Sequence, residues 1–232
     1  MISSAARASA AAGIAGPVAF TSAWIASSLR QTGYPAAEIQ LSGLAAPDAR
    51  DPWIMVAGFA VLGGCTVAFG AALHDALGHA AGGRGRWRGG VGQGRWRGGA
   101  GLAPRLIQGA GLLTIAVGLL RRDRMLLTPG SVSWHNHAHD VISAVIYADL
   151  VAAQVLLAAR FGRDPGPGAE DWRRWRPWML ASGLATGAAL VVFAADTSAA
   201  GAGVLQRVAV TIPLAAITAI AARLLRIPAT AG

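Results

Sequence analysis

Trp134-His135-Asn136-His137-Ala138-His139-Asp140 stands at the head of a long apolar run that continues to about residue 159. Three of the chain's five histidines fall in this one heptapeptide. The run behind it decides the fold, because about 20 predominantly apolar residues in a row are what a helix needs to cross a hydrocarbon core. A run of that length with a polar head reads as a membrane span whose start lies near an interface.

Working outward, the same pattern recurs. Apolar blocks occupy about 8–29, 53–73, 102–120, 135–159, 178–195 and 204–225. The whole chain, 1–232, is expected to be one membrane domain, an all-α polytopic bundle of six transmembrane helices. Composition agrees: 54% of the 232 residues are hydrophobic, 13% are charged, and the mean hydropathy is +0.47. A soluble domain carries about a quarter of its residues charged. The formal charge of +9 is carried by arginine alone, since the chain has no lysine. Abundant Ala, Gly and Arg point to a GC-rich bacterial genome. The single cysteine, Cys65, lies within a span and excludes an intrachain disulfide. The first block is long and lacks a clear cleavage site, so it reads as a retained span.

The connections differ in kind. Residues 30–52 form a polar connection with Tyr34, Glu38, Ser42, Asp48 and Asp51, and His74 and Asp75 close the second span. Residues 78–101 repeat Gly-Arg-Trp-Arg-Gly-Gly at 85–90 and 94–99. That much glycine does not hold a helix, so a flexible basic loop is expected. Such repeats occur in nucleic-acid-binding segments. Between two spans, the expected role is setting topology and touching anionic lipid, with no nucleic acid as partner. Pro17 is expected to kink the first span, while Gly109, Gly111, Gly118, Gly183 and Gly187 mark close helix approaches.

Six spans place both termini on one side. With the termini cytoplasmic in a bacterial plasma membrane, 14 arginines fall inside and 6 outside, as the excess of positive charge on cytoplasmic loops requires. The histidine heptapeptide then faces outward. It is joined there by Ser42, Asp123, Asp196, Gln206 and Arg207.

If the chain is helical from Trp134, His135 and His139 share a face at i, i+4, while Asp140 and Tyr147 lie on the neighbouring stripe. His-xxx-His is a workable metal-ligand spacing. Asp123 or Asp140 is the expected third ligand, Asp123 the first choice, and a divalent ion such as zinc the expected cofactor. If the segment is extended, the three histidines point one way instead. The run His-x-His-x-His-Asp superficially matches metallo-β-lactamase-like hydrolases, but those are soluble αβ sandwiches. A structural polar network at the helix start explains the same residues, since Asn136 and Asp140 suit the unsatisfied amides and dipole of a helix N-terminus. Asp149, deep in the fourth span, is expected to pair with Gln108 or Gln154, to be neutral, or to lie near water.

Several short motifs carry a resemblance. They are Tyr34-Pro35, Ser42-Gly43-Leu44-Ala45, Pro52-Trp53, Asp123, His135 with His139, and Gly203-Val204-Leu205-Gln206-Arg207. In this order the chain resembles a bacterial six-span membrane family, domain of unknown function 998, over essentially its whole length. Gly43 stands where an acidic residue often comes after the serine, and the Gly-Arg-Trp loop is peculiar to this chain. The resemblance implies no activity, but it makes Ser42, Asp123, His135, His139, Gln206 and Arg207 one recurrent constellation.

Two functional expectations arise. The first is an enzyme whose outward polar pocket takes a lipidic or isoprenoid substrate from the bilayer. His135, His139, Asp140, Asp123 and Ser42 would carry out metal-assisted hydrolysis or acid-initiated cyclisation. Arg207, Gln206, Asp196, Trp134 and Tyr147 would hold the hydrophobic substrate. The second is a non-enzymatic lipid-binding, accessory or small-transporter protein in which the histidines are structural. A proton-linked transporter built on Asp149 is disfavoured, because no inverted repeat is evident.

Overall fold

The computed structural model describes residues 4–81, 101–126, 132–162, 172–195 and 201–226. Among these residues there are six long helices and no strand: α1 (Ser4–Arg30), α2 (Trp53–Ala81), α3 (Leu102–Leu119), α4 (Trp134–Phe161), α5 (Arg176–Ala195) and α6 (Ala202–Leu225). Each is long and apolar enough to cross a membrane. In α2 the membrane-length segment is Trp53–Leu77, but the helix continues to Ala81. His74 and Asp75 therefore lie within it and do not close it. Helix formation depends on backbone propensity, and the Ala- and Leu-rich residues 76–81 continue it beyond the apolar stretch. Most of the expected Gly-Arg-Trp loop, residues 82–100, lies outside the described residues.

The helices stand in a ring taken in chain order. Each packs against its sequence neighbours, and α6 packs against α1 to close the circle. Lipid supplies no hydrophobic drive between helices, so they associate by close packing and polar contacts. Backbone meets backbone between α2 and α3. A Cβ placed on Gly63 would lie 2.5 Å from the Gly111 carbonyl oxygen, and one on Gly111 would lie 2.7 Å from that of Gly63. Gly183 of α5 is set against Gln154 and Val155 of α4, so the small-residue spacing on α5 serves packing inside the ring. The outward faces carry Val18, Leu112, Leu184 and Val191, all exposed, as suits helices whose surroundings are as apolar as their core. The α1 helix runs on through Pro17, which is buried.

The connection between α1 and α2 is not the polar surface loop its composition suggests. Its centre, Leu41–Ala45, is a 3-10 turn, and every residue from Leu41 to Ala46 is buried. Ile39-Gln40-Leu41-Ser42-Gly43-Leu44-Ala45-Ala46 is apolar but too short to span anything, so it folds back as a plug over one end of the ring. Its base is closed by a reciprocal pair: Gln31 Nε2 donates to the Arg50 carbonyl (2.9 Å) and the Arg50 amide donates to Gln31 Oε1 (2.8 Å). Arg30 adds an ion pair to Asp51 at 2.5 Å.

Candidate functional site

The plug is held chiefly by the first turns of α6. Gly203 comes first, because a Cβ there would collide with the carbonyls of Ala36 and Ile39; its absence lets the Gly203 amide donate to the Ala37 carbonyl at 2.8 Å. One helical turn later Gln206 Oε1 accepts from the Leu41 amide at 2.5 Å. Arg207 donates through one terminal nitrogen to the carbonyls of Ala36 (2.7 Å), Ile39 (3.1 Å) and Gly203 (2.8 Å), and through the other to the Tyr34 hydroxyl (2.7 Å). Its guanidinium also lies 5.4 Å from the Trp24 ring centroid, a cation–π contact. Arg207 thus latches the plug through its two terminal nitrogens, while its buried Nε has no hydrogen-bond partner.

A second set of bonds holds the plug from the connection after α3. Buried Arg122 donates to Gln40 of the plug, to Asn136 Oδ1 at 3.4 Å, and faces Asp140 at 4.0 Å. Asn136 in turn donates to Asp140 at 2.9 Å. Burial pulls the Arg122 guanidinium below its ordinary pKa, and the carboxylates of Asp140 and Asp123 oppose that. The Met125 amide donates to Asp48 at 2.7 Å. Gly43 has a local reason as well: a Cβ there would lie 2.7 Å from the Met125 carbonyl oxygen, so an acidic side chain at 43 would push this connection away.

The start of α4 is fixed by Asp123. Its carboxylate accepts from the Ser133 hydroxyl at 2.5 Å and from the Ser133 amide at 2.7 Å. Ser133 is the N-cap of α4 and accepts from the Asn136 amide at 3.4 Å. The Ser133 hydroxyl bond, then its amide bond, holds the Asp123 carboxyl below the usual carboxylate range, against the opposing effect of desolvation. α4 is helical from Trp134, and although the i, i+4 spacing gives His135 and His139 one face, their surroundings differ. His135 is exposed and its ring lies 3.8 Å from that of Trp134; His137 is exposed too. His139 is buried, 2% exposed, with Nδ1 2.7 Å from the Leu120 carbonyl. A carbonyl only accepts, so Nδ1 carries the proton and in the neutral ring the lone pair sits on Nε2.

Inside the ring, beneath the plug, lies a cavity of about 70 Å³. Every helix except α5 contributes to its wall. The wall is mostly apolar, with Phe20, Phe59 and Leu214 among its members, but Ser42, Thr114, His139, Ser143, Tyr147 and Gln206 bring polar groups to it. Thr114 is satisfied within α3 by the Ala110 carbonyl at 2.7 Å. Ser42 is not: it is 4% exposed, and its buried Oγ has no hydrogen-bond partner. A buried, unpaired hydroxyl costs about 1–3 kcal/mol.

The expected constellation therefore divides. Ser42, His139, Tyr147 and Gln206 meet at the cavity; Asp123 and Asp140 belong to the network at its rim; Trp134 and His135 face outward; Asp196 lies outside the described residues. Among the described residues no three His, Cys, Asp or Glu side chains gather so as to hold a metal ion. The expected set of His135, His139 and Asp123 is not assembled, because one helical turn carries His135 out of the ring while Ser133 occupies Asp123. Asp149 lies against Gly109 of α3, and Gln154, a partner expected for it, is taken by Ser182 and the Leu150 carbonyl. Sequence reasoning misses Arg122 and Gln40. Arg122 reads as one of three topology-setting arginines in Arg121-Arg122-Asp123-Arg124, and the acid beside it is beside Arg124 as well.

The order of spans, the plug with Ser42, and the Gly203-Gln206-Arg207 latch form a constellation that extends over the whole bundle. No match was found among curated proteins or among solved structures. One family model does match, over residues 14–223, and the chain belongs to that family, described as "Protein of unknown function (DUF998)".

Proposed function

We propose that the cavity inside the ring receives the polar end of an apolar, lipidic molecule, and that the protein is a membrane-embedded binding protein for it. One observation carries this reading: Ser42 Oγ is buried at the cavity wall without a partner. Buried polar groups are nearly always paired, so an orphan facing a cavity asks for a ligand or a bound water. Ser42 Oγ offers a donor and acceptor, and His139 Nε2 offers an acceptor. Together they suit a hydroxyl or carbonyl at the head of an otherwise apolar chain. The cavity exceeds the roughly 10–15 Å³ that one water requires, and its remaining wall suits hydrocarbon.

An enzyme is the second reading, and the fixed tautomer of His139 favours it. A neutral imidazole with its lone pair on Nε2 can take a proton from a substrate hydroxyl. The metal-assisted version has less support, because its three ligands stand apart. The acid-initiated version has less support too, because Asp123 and Asp140 lie off the cavity wall.

Leu214→Trp fills the cavity, and Ser42→Ala removes one polar contact. Protein purified in mild detergent and extracted with organic solvent should yield one dominant bound species for the natural sequence. Leu214→Trp should lose it, and Ser42→Ala should bind it about five-fold more weakly, the worth of one hydrogen bond near 1 kcal/mol. Identical extracts from the natural protein and Leu214→Trp, both folded, would remove the binding reading. Conversion of the bound species by the natural protein and not by His139→Ala, with binding retained, would establish the enzyme.

A further inference from the structure

We propose that the outer groove between α5 and α6 is a binding site for one anionic phospholipid, independent of the cavity. The groove is about 680 Å³ and lies on the lipid-facing side of the ring. Its α6 wall opens with Thr211 and Ile212 and becomes shallow past them, where Ala215, Ala216 and Ala219 present only methyl groups. Its α5 wall begins at Arg174 and Trp175, passes Trp178, and ends near Ser182. From Arg176 to Ser182 α5 rises about 9 Å, more than half the ~15 Å depth of one leaflet's hydrocarbon, and the turn before it adds Arg174 and Trp175 at the mouth. An acyl chain laid along the alanines would bring its phosphate to Arg174.

Charge at this end of the ring fits that occupant. Among the described residues, the starts of α1, α3 and α5 and the ends of α2, α4 and α6 carry Arg7, Arg105, Arg160, Arg173, Arg174, Arg176, Arg223 and Arg226 against one acid, Asp75. The opposite end mixes its arginines with Glu38, Asp48, Asp51, Asp123 and Asp140. Guanidinium groups match phosphate oxygens in a two-pronged geometry. Trp178, 72% exposed, is the kind of ring that sits at headgroup level. Apolar groove, interfacial tryptophans and a rim whose described charges are basic but for Asp75 meet at one place. A zwitterionic lipid brings a phosphate too, but its ammonium offsets the charge that draws an anionic lipid to this rim, and another helix would use only the groove.

The full chain, reconstituted in phosphatidylcholine vesicles, can be titrated with brominated phosphatidylglycerol or brominated phosphatidylcholine, both of which quench tryptophan on contact. Subtracting a Trp178→Phe sample isolates Trp178. Phosphatidylglycerol should quench it at about five-fold lower mole fraction than phosphatidylcholine, the preference expected of one arginine at an anionic surface. Arg174→Gln, on an exposed site, should remove the preference, and Ala215→Phe should reduce quenching by both lipids. Raising salt should narrow the preference in the unmutated chain, which needs no folded variant. Equal quenching by the two lipids, or a preference that survives Arg174→Gln, would overturn the proposal. Quenching that falls as protein concentration rises, with no dependence on headgroup, would mean that a second copy fills the groove and would overturn it equally.

Discussion

The cavity inside the ring and the groove outside it are both apolar hollows bounded by α6, yet they are built on opposite plans. The inner one is roofed by a plug fixed through named hydrogen bonds from Gln206 and Arg207, and it turns Ser42 and His139 inward. The outer one is a gap left by small side chains, with its polar groups at its mouth. A hollow with polar groups in its wall can discriminate among ligands by their hydrogen bonds, since a mismatched ligand leaves buried groups unpaired. A hollow with charge only at its mouth discriminates by headgroup and tolerates any chain. On the two proposals the same helix would serve selectivity on one face and adhesion on the other.

The sharpest way to break this contrast is Arg207→Ala. It removes the bonds to three carbonyls and the Tyr34 hydroxyl together, and the expected loss is about 3 kcal/mol, because these bonds involve a charged donor and the carbonyls of Ile39 and Gly203 belong to buried residues. A thermal melt in detergent should show the drop. Lipid quenching at Trp178 should be unchanged, and a parallel loss there would mean that the two hollows are not independent.

A smaller effect should appear in acid. The Asp123 carboxyl is held below its ordinary value of 3.8, first by the Ser133 hydroxyl and then by its amide. A depressed acid stabilises the fold fully above the unfolded value and loses that contribution as pH falls through the folded one. The melting-temperature gap between the natural protein and Asp123→Ala should therefore be constant at neutral pH and shrink below about pH 4. A gap that stays constant down to about pH 3 would show that Asp123 does not hold the α4 cap. Arg30→Ala should do least, under about 1 kcal/mol, because its ion pair with Asp51 is solvent-exposed. A large loss there would show that the plug is held from its own base as much as from α6.

The six spans are legible because span length is a property of short windows of sequence, and such windows are what a sequence displays. The site is legible only in part. Ser42, His139, Tyr147 and Gln206 can be named from the sequence, since polar residues within or beside apolar runs are few. Which histidine turns inward cannot, because His135 and His139 differ only by one turn and the choice rests on where the Leu120 carbonyl sits. Arg207 reads as a ligand for substrate because its true acceptors are backbone carbonyls, which look the same in every sequence. The plug reads as polar because its ends are, although residues 39–46 are nearly all apolar.

The ring closes in chain order, and that fixes when the plug can settle. Leu41 and its anchor Gln206 are 165 residues apart, and Ala36 and Arg207 are 171 apart. A growing chain makes the plug early and its latch only with the last helix. At about 5–20 residues per second, Leu41–Ala46 waits for roughly ten seconds or more without its α6 partners. An arrested or truncated chain lacking α6 would insert five helices and leave that apolar segment held only by α1, α2 and the connection after α3, a ready mark by which quality-control proteases could tell unfinished copies from finished ones.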